Sequence, residues 1–131
     1  PVMGSMLEFR GEGASEAALR LYISGDTLVY DDLREIPRRY PDIDLMLLHL
    51  GGTRAFGVLV TMDAVQGVEA IRIIQPRMTV PIHYNDYSVF KSPLEDFMRK
   101  VREAGLEGQV SYLSHGETFA FTMAELRRRR Q

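Results

Sequence analysis

The sequence predicts an α/β fold in which helices pack on one face of a mixed β-sheet. β-rich runs alternate with helical patterns along the 131 residues, and this alternation is typical of α/β layers. Residues 43–50 are almost continuously apolar, as expected for a central strand that is covered on both faces. Residues 62–75 repeat apolar side chains at helical spacing before Pro76, which indicates a helix packed on the sheet.

The N-terminal part of the chain contains two β-rich segments, residues 6–10 and 18–24, separated by a glycine-rich loop. We expect these segments to pair as antiparallel neighbours. Asp32 and Glu35 then have the spacing of a capping box, which predicts a short helix that ends near Tyr40.

Start and stop signals mark the later elements. Thr61 is a suitable cap for the helix that precedes Pro76. Ser92-Pro93-Leu94-Glu95 combines a capping residue, a proline at the first helical position and a glutamate three residues after the cap, and Gly105 is the expected helix end. We expect residues 110–113 and 118–121 to form a final hairpin.

Composition excludes several classes of function. The formal net charge is -2 and no long basic face is present, so we predict no nucleic-acid partner. No apolar run approaches the roughly 18 residues of a membrane span, so we expect a soluble, cytoplasmic protein. The absence of cysteine leaves histidines and carboxylates as the strong metal ligands. The run Arg127 to Arg130 is interpreted as a solvated, frayed tail.

Two polar residues, Asp26 and His83, follow β-rich runs and precede helices. Ligands of open α/β sheets gather at the carboxyl ends of strands, so we expect these side chains to lie close together although 83 − 26 = 57 positions separate them. Each residue alone also suits a structural role, Asp26 in a turn and His83 as a buried, hydrogen-bonded histidine.

Other polar residues are weaker candidates. Tyr84, Tyr87 and Lys91 are predicted to contact substrate from the loop after His83, with Lys91 as a cation for an acidic or phosphorylated group. A solvated loop is the alternative for all three. His49, within an apolar strand, and His115, within a turn, are interpreted as structural.

The order and context of four motifs resemble those of metallo-β-lactamase-fold hydrolases, closest to their lactonase-like branch. The motifs are Ser24-Gly25-Asp26-Thr27, Leu50-Gly51-Gly52-Thr53, Thr61-Met62-Asp63-Ala64 and Pro81-Ile82-His83-Tyr84. The resemblance covers essentially the whole chain. It implies that Asp26 bridges two metal ions and that His83 ligates one of them, with Zn²⁺ as the expected metal and Mn²⁺ or Fe²⁺ as alternatives.

The principal metal motif of this family, HxHxDH, has no counterpart, because the only histidines are His49, His83 and His115. The resemblance therefore implies that residues 1–131 are a single unit that forms the C-terminal half of an αββα sandwich. Either the chain is a fragment, or a partner chain supplies the N-terminal half. Two ligands are fewer than the three of an open catalytic zinc site, so we expect weak metal binding and no catalysis by this chain alone.

The function implied by the resemblance is hydrolysis of a small-molecule lactone, ester or phosphoester by a metal-activated water. One alternative is a non-catalytic α/β module that associates through an exposed sheet face. Another is an aspartyl nucleophile at Asp26, as in haloacid-dehalogenase-type enzymes. The last alternative is disfavoured because a DxDxT pair would require an aspartate at position 24, where this chain has serine.

The absent half also implies association. Three predicted helices can cover only one face of the sheet, which would leave an apolar face in water. We therefore predict either a complex with the complementary half or a two-fold homodimer, in which a second copy of the chain replaces that half. In such a dimer, two copies of Asp26 and His83 could converge on one site.

Overall fold

The computed structural model describes residues 3–84 and 93–129. Within these ranges the elements in chain order are β1 (Ser5–Phe9), β2 (Leu19–Ile23), a 3-10 helix (Asp31–Arg34), α1 (Glu35–Arg39), β3 (Leu45–His49), β4 (Arg54–Ala55), β5 (Val58–Leu59), α2 (Ala64–Ile74), β6 (Met78–Ile82), α3 (Leu94–Glu103), a second 3-10 helix (Glu107–Gln109) and α4 (Met123–Arg128). In this part of the chain, no helix has both the length and the apolar character needed to cross a bilayer.

The main sheet has the strand order β1-β2-β3-β6. Strand β1 is antiparallel to β2, whereas β2, β3 and β6 are mutually parallel. This arrangement confirms the predicted mixed sheet and the predicted N-terminal pairing. Because the three parallel strands run in one direction, they end at a common carboxyl edge, at Ile23, His49 and Ile82.

Helices α2 and α3 pack against each other on one face of the sheet, and the 3-10 helix before α1 contacts α2. The core on this helical face includes Met46 and Leu48 of β3, Ile71 of α2 and Phe97 of α3. All four side chains are almost completely buried. Most of the apolar residues recognised at helical spacing therefore form the core, as predicted, but Val65 of α2 is 61% exposed.

The first predicted capping box does not form. The chain enters α1 through a 3-10 helix with no side-chain cap, and the backbone N–H of Leu33 donates to the carbonyl of Tyr30. The carboxylate of Glu35 instead pairs with Arg38 at 2.7 Å. The N–H of Glu35, which the Asp32 side chain would accept in a capping box, donates instead to the backbone carbonyl of Asp32.

The predicted cap of α2 is also wrong by two residues. The carboxylate of Asp63, whose backbone is extended, accepts a hydrogen bond from the N–H of Gln66 at 2.9 Å. The hydroxyl of Thr61 accepts the N–H of Thr53 at 2.7 Å and closes the preceding loop. Helix α3 begins at Leu94, and its predicted cap, Ser92, lies outside the described residues.

The loop between β3 and α2 contains a small hairpin formed by β4 and β5, where the sequence suggested only a loop. At its tip, Phe56 has a φ of 51° and Gly57 a φ of 81°. Two consecutive residues with positive φ are typical of the tightest hairpin turns. The turn leaves the Phe56 side chain fully exposed.

The predicted final hairpin is absent from the described part of the chain, where one bridge between Thr79 and Val110 joins this segment to the sheet. Its apolar side chains pack against the second face of the sheet. They include Leu113, Phe119 and Phe121. Burial of these side chains on β3 and β6 replaces the expected strand pairing.

A fourth helix, α4, follows and was not predicted. Thr122 and Glu125 form a complete capping box, and Leu126 is buried against the second face. The T-x-x-E spacing in the sequence is the signal that could have identified this helix start. The side chains of Arg127 and Arg128 are exposed, as predicted, but their backbone ends a packed helix rather than a frayed tail.

The C-terminal segment covers only part of the second face. Leu7 and Phe9 of β1 pair with Leu21 and Leu19 of β2, and all four point to this face. The side chains of Leu7 and Phe9 remain 41% and 51% exposed. The apolar surface left open is therefore a strip along β1 and β2, which we call the open strip, rather than the whole face.

Candidate metal centre

Asp26 reaches the carboxyl edge through a turn that follows β2. Gly25 has a φ of 67°, and a Cβ atom at this position would lie 2.7 Å from the carbonyl oxygen of Met3. Both the left-handed conformation and the close approach of backbone require glycine here. The motif Ser-Gly-Asp therefore turns the chain sharply at the strand end and presents Asp26, whose side chain is 46% exposed.

His83 follows β6 directly, with a φ of 60° that is unusual for a residue with a side chain. Its Nδ1 atom lies 3.1 Å from Oδ1 of Asp26 and 3.3 Å from the carbonyl oxygen of Leu50. The predicted proximity of Asp26 and His83 is confirmed. Backbone conformations of this kind cluster at functional sites, where the surrounding structure holds them in place.

His49 lies at the same edge, although the sequence suggested a structural role within its strand. Its ring centroid is 5.5 Å from that of His83. The signal that could have identified it is its position as the last residue of a parallel strand, between the strands that carry Asp26 and His83. The structure thus brings three titratable side chains together.

Ser24 joins these strand ends. Its side chain is buried, and its hydroxyl accepts the backbone N–H of His49 at 2.9 Å and donates to the carbonyl of Gly25 at 3.0 Å. The hydroxyl is also 3.4 Å from Nδ1 of His49. One serine therefore holds both the turn that carries Asp26 and the end of β3 in place.

The electrostatic environment favours a neutral His49. Burial lowers the pKa of His49 most, the negative charge of Asp26 raises it, and the neighbouring His83 lowers it. Because the lowering from burial is the largest effect, the net shift of the His49 pKa favours the uncharged imidazole. An uncharged imidazole can accept or donate one hydrogen bond or ligate a metal.

The donor set fits part of a metal site. A carboxylate oxygen and an imidazole nitrogen are both ligands of zinc and of similar divalent ions. The two groups are partly exposed, so further ligands can approach them from outside the chain. Within residues 3–84 and 93–129, no group of three or more side chains has the geometry to hold a metal ion.

The other candidates suggested by the sequence are Tyr84, Tyr87, Lys91 and His115. The hydroxyl of Tyr84 donates to the carbonyl of Leu113 at 2.7 Å, and its half-buried ring packs against the helical core. His115 lies in a turn of the C-terminal segment. Tyr87 and Lys91 lie outside the described residues.

Comparison with known proteins identifies relatives but no matching family model. The chain is 36% identical over 90 residues to a UPF0173 metal-dependent hydrolase of Nanoarchaeum equitans, a match that covers 69% of this chain and 39% of the relative. It is 33% identical over 115 residues to a UPF0173 metal-dependent hydrolase of Rubrobacter xylanophilus, covering 88% of this chain and 42% of the relative. The chain thus spans about 40% of the length of the curated relatives it matches.

Solved structures give a consistent result. Igni18, described as a metallo hydrolase of Ignicoccus hospitalis, aligns with a TM-score of 0.63 and 31% identity over 82% of this chain and 44% of its own. The metallo-β-lactamase-fold protein YhfI of Bacillus subtilis aligns with a TM-score of 0.56 over 92% of this chain and 50% of its own. At 13% identity, this second match supports the fold alone.

Proposed function

We infer that this chain, which belongs to the metallo-β-lactamase-fold metal-dependent hydrolases and forms their C-terminal part, supplies ligands to a hydrolytic metal centre. The observation that carries this proposal is the 3.1 Å contact between Asp26 and His83 at the carboxyl edge. Two potential ligands that are 57 positions apart in sequence meet where α/β sheets bind ligands.

Each residue has a distinct role in the proposal. The carboxylate of Asp26 has two oxygens and can contact two cations at once. His83 supplies an imidazole nitrogen, and the carbonyl of Leu50 at 3.3 Å helps to orient its ring. Ser24 holds the Asp26 turn in position. His49 lies beside His83 and forms part of the wall of the site.

We propose Zn²⁺ as the metal, because oxygen and nitrogen ligands without thiolate suit it, with Mn²⁺ or Fe²⁺ as alternatives. When bound, such ions lower the pKa of a coordinated water and polarise the oxygen of the bond under attack. This chemistry suits a small-molecule lactone, ester or phosphoester. Within the proposal, Asp26 and His83 fix where this chemistry occurs, and the family's HxHxDH motif must come from elsewhere.

We also propose that residues 1–131 form a single unit whose partner is the complementary N-terminal half of the fold. The open strip along β1 and β2 supports this partner, because apolar side chains on a sheet face require a covering layer. If the strip serves association alone, the chain is the non-catalytic module of the alternative hypothesis, and the metal experiments below distinguish the two.

The catalytic proposal is tested by separating and recombining the two halves. We expect residues 1–131 alone to hydrolyse no lactone, p-nitrophenyl ester or bis-p-nitrophenyl phosphate above background, with or without added Zn²⁺ or Mn²⁺. Two protein ligands are too few to hold the metal centre. Co-expression with an N-terminal half that contains HxHxDH, taken from a full-length relative, should restore turnover of one of these substrates. The same two halves, co-expressed with Asp26→Ala in this chain, serve as the control. Hydrolysis by the isolated chain, abolished by Asp26→Ala, would contradict the proposal.

The open strip makes a second prediction. At micromolar concentration, the isolated chain should be a dimer or larger, because exposed apolar surface drives self-association. Light scattering coupled to size exclusion gives the mass. Leu7→Glu with Phe9→Glu should shift it towards the monomer, whereas Phe56→Glu, which changes an exposed side chain outside the strip, should not. A stable monomer of the unaltered chain would rule out this surface as an interface.

A further inference from the structure

A cavity of about 410 Å³ lies at the opposite edge of the sheet from the candidate metal centre. It opens where β6 begins, whereas His83 follows the other end of the same strand. The five residues of β6 separate the two places by roughly 16 Å. Its lining residues are Ile71, Arg72, Gln75, Pro76, Arg77, Leu106, Gln109 and Arg129. Three are arginines and none carries a carboxylate.

The three arginines come from separate parts of the chain. Arg72 is on the last turn of α2, Arg77 precedes β6, and Arg129 follows α4. Arg77 is already neutralised, with Nε 3.1 Å from Asp44 and Nη2 3.7 Å from Asp42. Within the described residues, neither Arg72 nor Arg129 has a carboxylate within 4 Å. Both guanidinium groups therefore lack a direct ion pair in this part of the chain, although the carboxylate of Glu125 interacts electrostatically with Arg129.

The positions of these arginines are supported by backbone contacts. Nη1 of Arg129 donates to the carbonyl of Gly108 at 3.2 Å, which directs its guanidinium towards the 3-10 helix beside the cavity. Nη1 of Arg77 donates to the carbonyl of Arg127 at 3.4 Å, which ties α4 to the base of the cavity. A guanidinium has five N–H donors, so one such bond leaves most of the Arg129 donors for a ligand.

We propose that this cavity binds a small phosphate monoester. At neutral pH, such a group carries nearly two negative charges and three acceptor oxygens, which match the charges and donors of Arg72 and Arg129. The volume exceeds that of a phosphate and lies in the range of small-molecule sites. The half-buried Leu106 offers an apolar surface to the organic part, and the amides of Gln75 and Gln109 offer hydrogen bonds.

A structural explanation competes with this proposal. Arginines near the C-terminal end of a helix stabilise its dipole, and Arg72 lies in that position on α2. This explanation does not account for Arg129, because Arg129 follows a different helix, α4. It also predicts that Arg72→Ala lowers the melting temperature of the chain without any effect on a ligand.

The test is calorimetric titration of the whole chain, residues 1–131, with phenyl phosphate and with inorganic phosphate at low ionic strength. Phenyl phosphate should bind more tightly than inorganic phosphate, and added salt should weaken both. Arg72→Ala and Arg129→Ala should each lower the affinity about tenfold, since each removes a charge-assisted hydrogen bond. The affinity of Arg72→Lys should be intermediate, because lysine keeps the positive charge but lacks the paired N–H donors of the guanidinium group.

Arg38→Ala is the matched control, an exposed helical arginine on α1, and should leave binding unchanged. Three results would overturn the proposal. The first is the absence of any heat of binding with phenyl phosphate. The second is an affinity for benzoate equal to that for phenyl phosphate. The third is binding to phosphatidylcholine vesicles that contain phosphatidic acid without binding to phenyl phosphate. Circular dichroism of each variant confirms that it is folded, so a loss of binding reports on the cavity. Hydrolase activity is not measured, and the outcome is therefore independent of the proposed function.

Discussion

In the intact protein, replacing Asp26 with asparagine is expected to remove most of the bound metal and to lower turnover by at least about 100-fold. Groups that only support metal ligands typically contribute 10- to 100-fold to metal affinity or activity, so the proposed bridging ligand is expected to contribute at least as much. Asparagine keeps the shape of the side chain but has no negative charge to offset two cations. The measurements are metal stoichiometry by mass spectrometry and initial rates on the substrate that the recombined halves hydrolyse.

Asp31→Asn is the matched control, because Asp31 is an exposed carboxylate five residues further along the chain. It should leave metal content and rate unchanged. Asp26 is partly exposed, so in metal-free protein the substitution should leave the melting temperature close to that of the unaltered protein. A fully metal-loaded and active Asp26→Asn protein would show that Asp26 is a turn residue, the alternative that the sequence left open.

Phe97→Ala is expected to lower the free energy of unfolding by about 3–5 kcal/mol, because it leaves a large cavity between α2 and α3. Phe97 is 1% exposed, and its ring meets Tyr112 edge-on at a centroid distance of 6.4 Å. It also packs against the backbone of α2, since a Cβ added at Gly67 would lie 2.9 Å from the ring. The total stability of a domain is commonly about 5–15 kcal/mol, so this single loss is a large fraction of it.

Chemical denaturation of the chain measures this loss, and Phe56→Ala provides the control for it. Phe56 is fully exposed at the tip of the β4–β5 hairpin, so the same truncation should change the unfolding free energy by less than about 0.5 kcal/mol. Equal effects of the two substitutions would mean that the α2–α3 interface does not hold the core together.

The sequence by itself determined the fold class and the main elements, because the continuous apolar run of residues 43–50 and the apolar periodicity of residues 62–75 reflect burial directly. It also determined that Asp26 and His83 meet. Both follow parallel strands, and parallel strands that are neighbours or near neighbours in a sheet end at one edge. Strand ends are therefore positions where local pattern and topology together predict proximity between distant residues.

Tertiary structure alone decided three other features, which are the path of residues 110–121, the position of His49 and the arginine cavity. Residues 110–121 have the pattern of a hairpin, but the apolar face of β3 and β6 offers more burial than a ladder between two short strands. His49 looks like any residue of an apolar strand until β3 is placed between β2 and β6. The arginine cavity draws on α2, β6 and α4, and no local spacing relates Arg72 to Arg129. Long-range packing sets these three features, because the energy of burying a surface depends on which distant segment covers it.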